Sequence, residues 1–239
     1  MILPIKDIQI LSKSELAYDF LRGRIVTARI PPDTPLRIQT LGRDSGLGST
    51  PVREALFRLE AEKLVVSEAN CGFKSAPISI EQVKDLEHSR LVIETALLRD
   101  AIETGADEWE GKIVAAHYQL AKLRLPVDTE DAAEHQNWAE KHKNFHASLL
   151  SAAGSNWLSS FYNQLSEQLD RHYHYTLEGP LRSRFQEDEA IKAQLRSVLG
   201  IDHHTALMDA TLARDLPQAT KLLEEHVGFA YGMFVEVFS

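Results

Sequence analysis

Cysteine is almost absent from this chain, since Cys71 is the single thiol among 239 residues. One thiol cannot form an internal disulfide, so the sequence excludes a disulfide-stapled scaffold and favours a reducing compartment. The sequence also lacks any apolar run near the roughly 18 residues that cross a bilayer, and no basic segment with an apolar stretch behind it lies near Met1. We therefore expect a cytoplasmic protein without membrane association.

The stretch from Gly46 to Leu59 predicts a turn followed by an amphipathic helix. Thr50 is a suitable N-cap, and Pro51 suits the first helical position. A short helix over residues 38–45 precedes the turn, which gives the order of a helix-turn-helix. Arg53 points away from the apolar stripe, which consists of Val52, Ala55, Leu56 and Leu59. On spacing alone, an ordinary helical hairpin is an equal alternative.

Two strand-like runs follow this helix, at residues 64–66 and 73–75. The loop between them contains Asn70 and Gly72, which suit the tip of a β-hairpin. The hairpin would form the wing of a winged helix. Beyond Ser79 the patterns are helical and no convincing strand occurs, which predicts an all-α bundle. The helical patterns cover residues 80–103, 107–123, 129–152, 156–176, 180–199, 202–214 and 216–237.

The length predicts two domains, which we place at residues 1–77 and 78–239. The expected fold class is mainly α, with an N-terminal winged helix-turn-helix and a C-terminal helical bundle. Residues 1–78 carry 11 Lys+Arg against 9 Asp+Glu, whereas the remainder carries 15 against 26. The acidity therefore belongs to the bundle. The small domain would have to bind DNA through placed contacts and dimerisation, since it has no strong cationic field.

Polar side chains interrupt the apolar seams of several predicted helices. Arg90 takes a seam position on the first long helix, while His142 and His146 lie one turn apart on another. His204 and His226 lie on the inward faces of two further helices. Four converging imidazoles would suit a first-row transition-metal ion. Separate core histidines, each hydrogen-bonded to a neighbour, are an equally weighted alternative on the residues alone.

The N-terminal order of helix, Pro-rich turn, helix, Thr-Pro-Val-Arg-Glu-Ala-Leu helix and wing resembles the GntR family of bacterial transcription regulators. Ser12 or Ser14 caps the first of these helices. The resemblance implies a homodimer that binds an inverted repeat in a double-stranded DNA operator. It implies that the DNA contacts come from Thr50 and Arg53, with Ser49, Asn70 and Gly72 as secondary candidates. Family members usually carry a Ser-Arg pair where this chain has Gly48 and Ser49, so one arginine contact is missing.

The C-terminal pattern is similar to the FCD ligand-binding domain of the FadR-type branch of that family. The similarity rests on Arg90 to Glu94, on His142 to His146, and on the spacing of His204 and His226. It implies that His146, His204, His226 and the residue at position 142 hold one metal ion per chain. His142 replaces the usual Asp or Asn, which favours Zn²⁺ or Ni²⁺. The resemblance also implies that Arg90 binds a small carboxylate effector.

His172 continues an apolar stripe and is a further candidate for the effector pocket. The sequence therefore predicts a DNA-binding transcriptional regulator whose operator affinity is controlled by an organic acid at a metal site. A metal-dependent hydrolase is one alternative, although Lys143 and Asn144 leave no glutamate base between the paired histidines, and we expect no enzyme. A dimeric metal-binding module that has lost DNA binding is the other.

Overall fold

The computed structural model describes residues 11–68, 72–177 and 188–238. The chain divides into two compact units, residues 1–78 and 79–239. The division lies one residue after the predicted boundary. Each unit has its own hydrophobic core.

The first unit is a winged helix. Its sheet has the strand order β1-β3-β2 with antiparallel pairing throughout, and Phe73 pairs with Leu36 on one side and Ser67 on the other. The sequence did not predict β1, because it has two residues and includes a proline. The described elements are α1 (Lys13–Val26), β1 (Pro35–Leu36), α2 (Ile38–Asp44), α3 (Ser49–Ala61), β2 (Val65–Glu68) and β3 (Gly72–Ser75).

Local capping fixes the start of α1. The Ser12 side chain accepts a hydrogen bond from the Glu15 backbone N–H, and the Glu15 carboxylate accepts one from the Ser12 backbone in return. This capping box satisfies two donors that a helix start otherwise leaves unpaired. Ser12, rather than Ser14, is therefore the cap.

Helix α3 begins earlier than predicted. Its N-cap is Gly48, whose φ of 89° suits glycine, so the prediction that Thr50 caps the helix is wrong. Pro51 lies in the first turn, where backbone N–H groups have no partner within the helix, so its missing donor costs little. The apolar stripe is confirmed, because its four members are the buried residues of α3: Val52, Ala55, Leu56 and Leu59.

The second unit is helical in its described part, which confirms the predicted fold class. Helix α6 begins at Ala132, after the cap Asp131, instead of at residue 129. Residues 180–187 of one predicted helix lie outside the described residues. The helices are α4 (Ile80–Thr104), α5 (Asp107–Ala121), α6 (Ala132–Leu150), α7 (Asn156–Leu177), α8 (Glu189–Leu199), α9 (Ile201–Leu212) and α10 (Leu216–Phe238), with a 3₁₀ turn at Pro126–Asp128.

Helix α4 packs against α7 and α10, and α5 packs against α6 and α9. Helices α4 and α7 run antiparallel: Tyr173 donates a hydrogen bond to Glu87, while the Gly154 backbone donates to Asp100 at 2.6 Å. None of the described helices combines the length and the apolar content needed to cross a bilayer.

Candidate functional site

Four histidines meet in the second unit. His142 and His146 come from one face of α6 because a spacing of four residues is about one helical turn. His204 comes from α9 and His226 from α10. One ring nitrogen from each of the four lies within 4.8 Å of the others. The structure therefore brings together all four residues that the sequence predicted for a metal.

Four nitrogens in this cluster lack a hydrogen-bond partner among the described residues. They are buried, although buried polar atoms are normally paired. The atoms are Nε2 of His142, His146 and His204, and Nδ1 of His226. His135 and His203 of the same unit differ. Nε2 of His135 lies 2.9 Å from the Thr129 carbonyl oxygen. Nε2 of His203 lies 3.0 Å from the Leu222 carbonyl oxygen. The clustered imidazoles thus differ from ordinary hydrogen-bonded core histidines.

Outer contacts set which nitrogen of a ring faces the cluster. Nδ1 of His204 lies 2.8 Å from the Gly200 carbonyl oxygen. This oxygen can accept a hydrogen bond but cannot donate one. Nδ1 therefore carries the proton, and the Nε2 lone pair points into the cluster. Nδ1 of His146 lies 3.6 Å from Oε1 of Glu94. A partner on the far nitrogen is typical of metal-ligating histidines.

The cluster favours neutral imidazoles. Burial lowers the pKa of His142, His146 and His226 well below the ordinary value, and the neighbouring imidazoles and Arg90 lower it further. Burial also lowers the pKa of His204 to about 4. A ligating imidazole must be unprotonated. The donor set is four neutral nitrogens without a carboxylate, which fits borderline ions such as Zn²⁺ or Ni²⁺ better than hard oxygen-seeking ones.

Arg90 lies between two buried glutamates, which the sequence analysis did not place among the site residues. Its Nη2 is 3.3 Å from Glu87 Oε2, and its Nε is 3.4 Å from Glu94 Oε2. Both carboxylates are 2% exposed. Burial raises the pKa of each, and the Arg90 charge opposes that rise. The guanidinium predicted to meet an effector is thus already paired within its own helix.

His172 is buried on α7, and its Nδ1 lies 2.6 Å from the Gln168 carbonyl oxygen. Burial lowers its pKa to about 4. Its nitrogens are not part of the four-histidine group found in the described residues. Its place in an effector pocket stays a prediction.

The candidate DNA contacts form a separate surface on the first unit. Ser49, Thr50 and Arg53 are exposed at the start of α3, and Gly72 is exposed at the start of β3. Asn70 lies outside the described residues. Phe57 connects α3 to the hairpin through an edge contact with Phe73, with ring centroids 5.2 Å apart.

Family comparisons agree with both units. Residues 13–74 match the model of bacterial regulatory proteins of the gntR family, and residues 85–229 match the FCD domain. The chain belongs to the GntR family. It is 30% identical to the HTH-type transcriptional repressor GlaR of Escherichia coli, over 88% of this chain and 90% of that protein. It is 29% identical to the uncharacterized HTH-type transcriptional regulator BphR of Paraburkholderia xenovorans, over 94% and 86% of the two chains.

Solved structures share the fold of this GntR-family chain. E. coli McbR/YncC superposes with a TM-score of 0.69 at 16% identity, covering 96% of this chain and 100% of that one. A putative GntR regulator from Rhodococcus sp. RHA1 gives 0.67 at 18% identity, covering 95% and 99%. With its winged helix and FCD domain, the chain is a DNA-binding transcription regulator and not an enzyme. This removes the hydrolase alternative.

Proposed function

We propose that this regulator binds an inverted-repeat operator as a homodimer, and that a small organic acid held at a metal ion changes its operator affinity. The single observation that supports the sensory part is a group of four buried nitrogens without a hydrogen-bond partner among the described residues, in an FCD domain that follows a winged helix. If these were core histidines without a ligand, four buried nitrogens unpaired among the described residues would be unexplained, because buried polar atoms are normally hydrogen-bonded.

The metal part of the proposal is one Zn²⁺ or Ni²⁺ per chain. The ion would be held by the ring nitrogens that have no hydrogen-bond partner among the described residues, which belong to His142, His146, His204 and His226. When bound, such an ion offers a Lewis-acidic position to a carboxylate oxygen. The histidines hold that position inside the bundle, where water competes less for the same oxygen.

Arg90 is the proposed second contact of the organic acid. The contacts that define its two ion pairs are made by Nη2 and Nε, so the two Nη1 donors are the ones proposed to meet a ligand oxygen. A metal and an arginine together would select carboxylates over neutral analogues. His172 stays a candidate for the wall of the same pocket.

The homodimer proposal draws on α4 and α7, which pack against each other and carry exposed apolar side chains. Trp157 is 76% exposed, Phe161 46% and Val92 58%. Because α4 and α7 are antiparallel, residues 92–99 of α4 lie alongside residues 157–164 of α7. A second copy would cover this face and supply the second winged helix that an inverted repeat requires.

The effector acts only if it binds two arrangements of the dimer with different affinity, since equal affinity shifts no equilibrium. The test measures operator affinity by gel shift with and without a panel of organic acids, in native protein and in Arg90→Lys. Lysine keeps the buried positive charge, whereas alanine would leave two buried carboxylates without a cation. We expect Arg90→Lys to bind operator normally and to lose the response to acid, because lysine lacks the fork that grips a carboxylate.

An Arg90→Lys protein that responds like the native one would remove Arg90 from the effector site. A native protein that binds no inverted-repeat fragment would instead contradict the proposed operator. The two outcomes can be distinguished, because the first is a response to added acid and the second is measured on native protein without acid.

A further inference from the structure

One face of α4 carries three charges in a row, of which the two carboxylates are buried and the guanidinium is 14% exposed. Glu87, Arg90 and Glu94 are spaced by three and four residues, so they share one side of the helix. Two carboxylates and one guanidinium sum to one net negative charge when all are ionised. Burying an uncompensated charge is costly, and a compensating positive charge is expected nearby.

The two carboxylates have different surroundings. Glu87 receives a hydrogen bond from Tyr173 as well as its contact with Arg90. Glu94 has Arg90 on one oxygen and faces His146 with the other, at 3.6 Å from Nδ1. Glu94 is therefore the carboxylate that faces the histidine cluster, whereas Glu87 contacts Tyr173 and Arg90.

We infer that Glu94 is a positioning residue for the metal site, where it orients His146 and supplies the negative charge that the four imidazoles lack. This inference rests on the metal site proposed above. A carboxylate on Nδ1 keeps the proton on that atom, makes Nε2 the ligand atom and increases its basicity. Nε2 of His146 is buried and has no hydrogen-bond partner among the described residues, as this role requires.

Arg90 then has a second role. Its contact with Glu94 holds the carboxylate on the side of α4 that faces His146. An organic acid that binds Arg90 would therefore also affect the contact between Glu94 and the metal-binding residue His146. His204 differs, since its Nδ1 partner is the neutral Gly200 carbonyl. In the described part of the chain, His146 thus has a carboxylate near its outer nitrogen, whereas His204 has a backbone carbonyl.

The test compares Glu94→Gln with Glu87→Gln in the full-length protein. Both changes remove one buried carboxylate beside Arg90, but only the first removes a partner of a candidate ligand. Zn²⁺ affinity is measured by competition with a chromophoric chelator. We expect Glu94→Gln to weaken Zn²⁺ binding by roughly 10- to 100-fold, and Glu87→Gln by less than about threefold.

A second readout separates this role from that of a structural ion pair. In metal-free protein the excess negative charge has no counter-charge, so Glu94→Gln should leave the melting temperature unchanged or raise it, while reducing the increase that Zn²⁺ produces. Glu94→Asp keeps the charge but shortens the side chain. We expect it to fold and to weaken Zn²⁺ binding less than Glu94→Gln does.

Three outcomes would overturn the inference. Equal losses in Glu94→Gln and Glu87→Gln would indicate a general charge effect without positioning of His146. A lower melting temperature of metal-free Glu94→Gln, with Zn²⁺ affinity unchanged, would indicate a structural ion pair. Native protein that binds no Zn²⁺ would remove the proposed metal site itself, and this inference with it.

Discussion

Gly42 of α2 lies directly against Gly48, the residue that caps α3. A β-carbon at position 42 would lie 2.9 Å from the carbonyl carbon of Gly48 and 3.1 Å from the Ser49 nitrogen. Both contacts are with backbone, which cannot rotate away. The close approach of α2 to the start of α3 therefore depends on a missing side chain.

Gly42→Ala should destabilise the winged helix by about 1–3 kcal/mol, the usual cost of overpacking. Gly23→Ala is the control: position 23 lies on α1, and no atom of the described residues lies within 4 Å of the added carbon. Alanine there should stabilise by roughly 0.5–1 kcal/mol, because it lowers the entropy of the unfolded chain. Chemical denaturation of the two purified variants shows whether each substitution lowers or raises the free energy of unfolding. A Gly42→Ala protein as stable as Gly23→Ala would contradict the close contact.

Removing the Arg53 guanidinium should weaken operator binding. Arg53→Ala is expected to cost about 1–3 kcal/mol if the side chain reads a base, or to reduce the salt dependence by about one ion if it binds a phosphate. Arg58→Ala is the control on the same helix, since Arg58 instead covers the Tyr18 ring at 3.9 Å from its centroid. Gel shifts at two salt concentrations distinguish the results. Equal effects of the two variants would argue against a reading role for Arg53.

Truncating a clustered histidine should remove the metal. We expect His204→Ala to lower the metal content of untagged protein and to lower its melting temperature, because ion binding stabilises the folded chain. His135→Ala changes a buried histidine of the same unit that is bonded to Thr129, and it should keep the metal. Elemental analysis provides the measurement. Native protein with no metal, even after Zn²⁺ or Ni²⁺ is added, would return the cluster to ordinary core histidines.

His172 makes the stability of metal-free protein depend on pH. Burial lowers its native pKa from 6.5 to about 4, so the unfolded chain takes up the proton first as the pH falls. Its contribution is complete above pH 6.5 and is lost on going down to pH 4. At pH 5 the loss is roughly 2 kcal/mol relative to pH 7.5. Denaturation of His172→Gln with chelator present should show a smaller pH effect than native protein.

Charge placed on the exposed aromatic pair of α7 should separate the proposed dimer. A protein with both Trp157→Glu and Phe161→Glu is expected to sediment as a monomer, since two carboxylates would have to be buried in the interface. Tyr118→Glu changes an aromatic side chain of α5 that is 58% exposed, and it should leave the association state unchanged. A double variant that remains dimeric would move the interface elsewhere.

Helical periodicity accounts for much of what the sequence could predict. His142 and His146 lie on one face by spacing alone, and the stripe of α3 follows the same rule. The meeting of His204 and His226 with that pair depends on how α9 and α10 pack, which periodicity cannot give. There the resemblance to a known domain supplied the expectation.

The misses have local causes. Glu87 and Glu94 each resemble a surface ion-pair partner of Arg90, because a sequence shows the spacing of charges and not their burial. One signal was present: both share the helix face of Arg90. The cap of α3 was misassigned because Thr50 has the better side chain for capping, whereas the backbone conformation of Gly48 decided the position.

Trp138 stacks on His142, with ring centroids 4.6 Å apart and planes inclined by 17°. An indole in contact with a candidate ligand is a natural fluorescent probe of that ligand. Ni²⁺ or Cu²⁺ at the cluster should quench its emission, while closed-shell Zn²⁺ should not. The other two indoles differ in environment, since Trp157 is 76% exposed and Trp109 is 4% exposed with its Nε1 donating to Ser148. Acrylamide should quench the emission of the exposed Trp157 first. The change in the remaining tryptophan emission then reports ion binding beside Trp138.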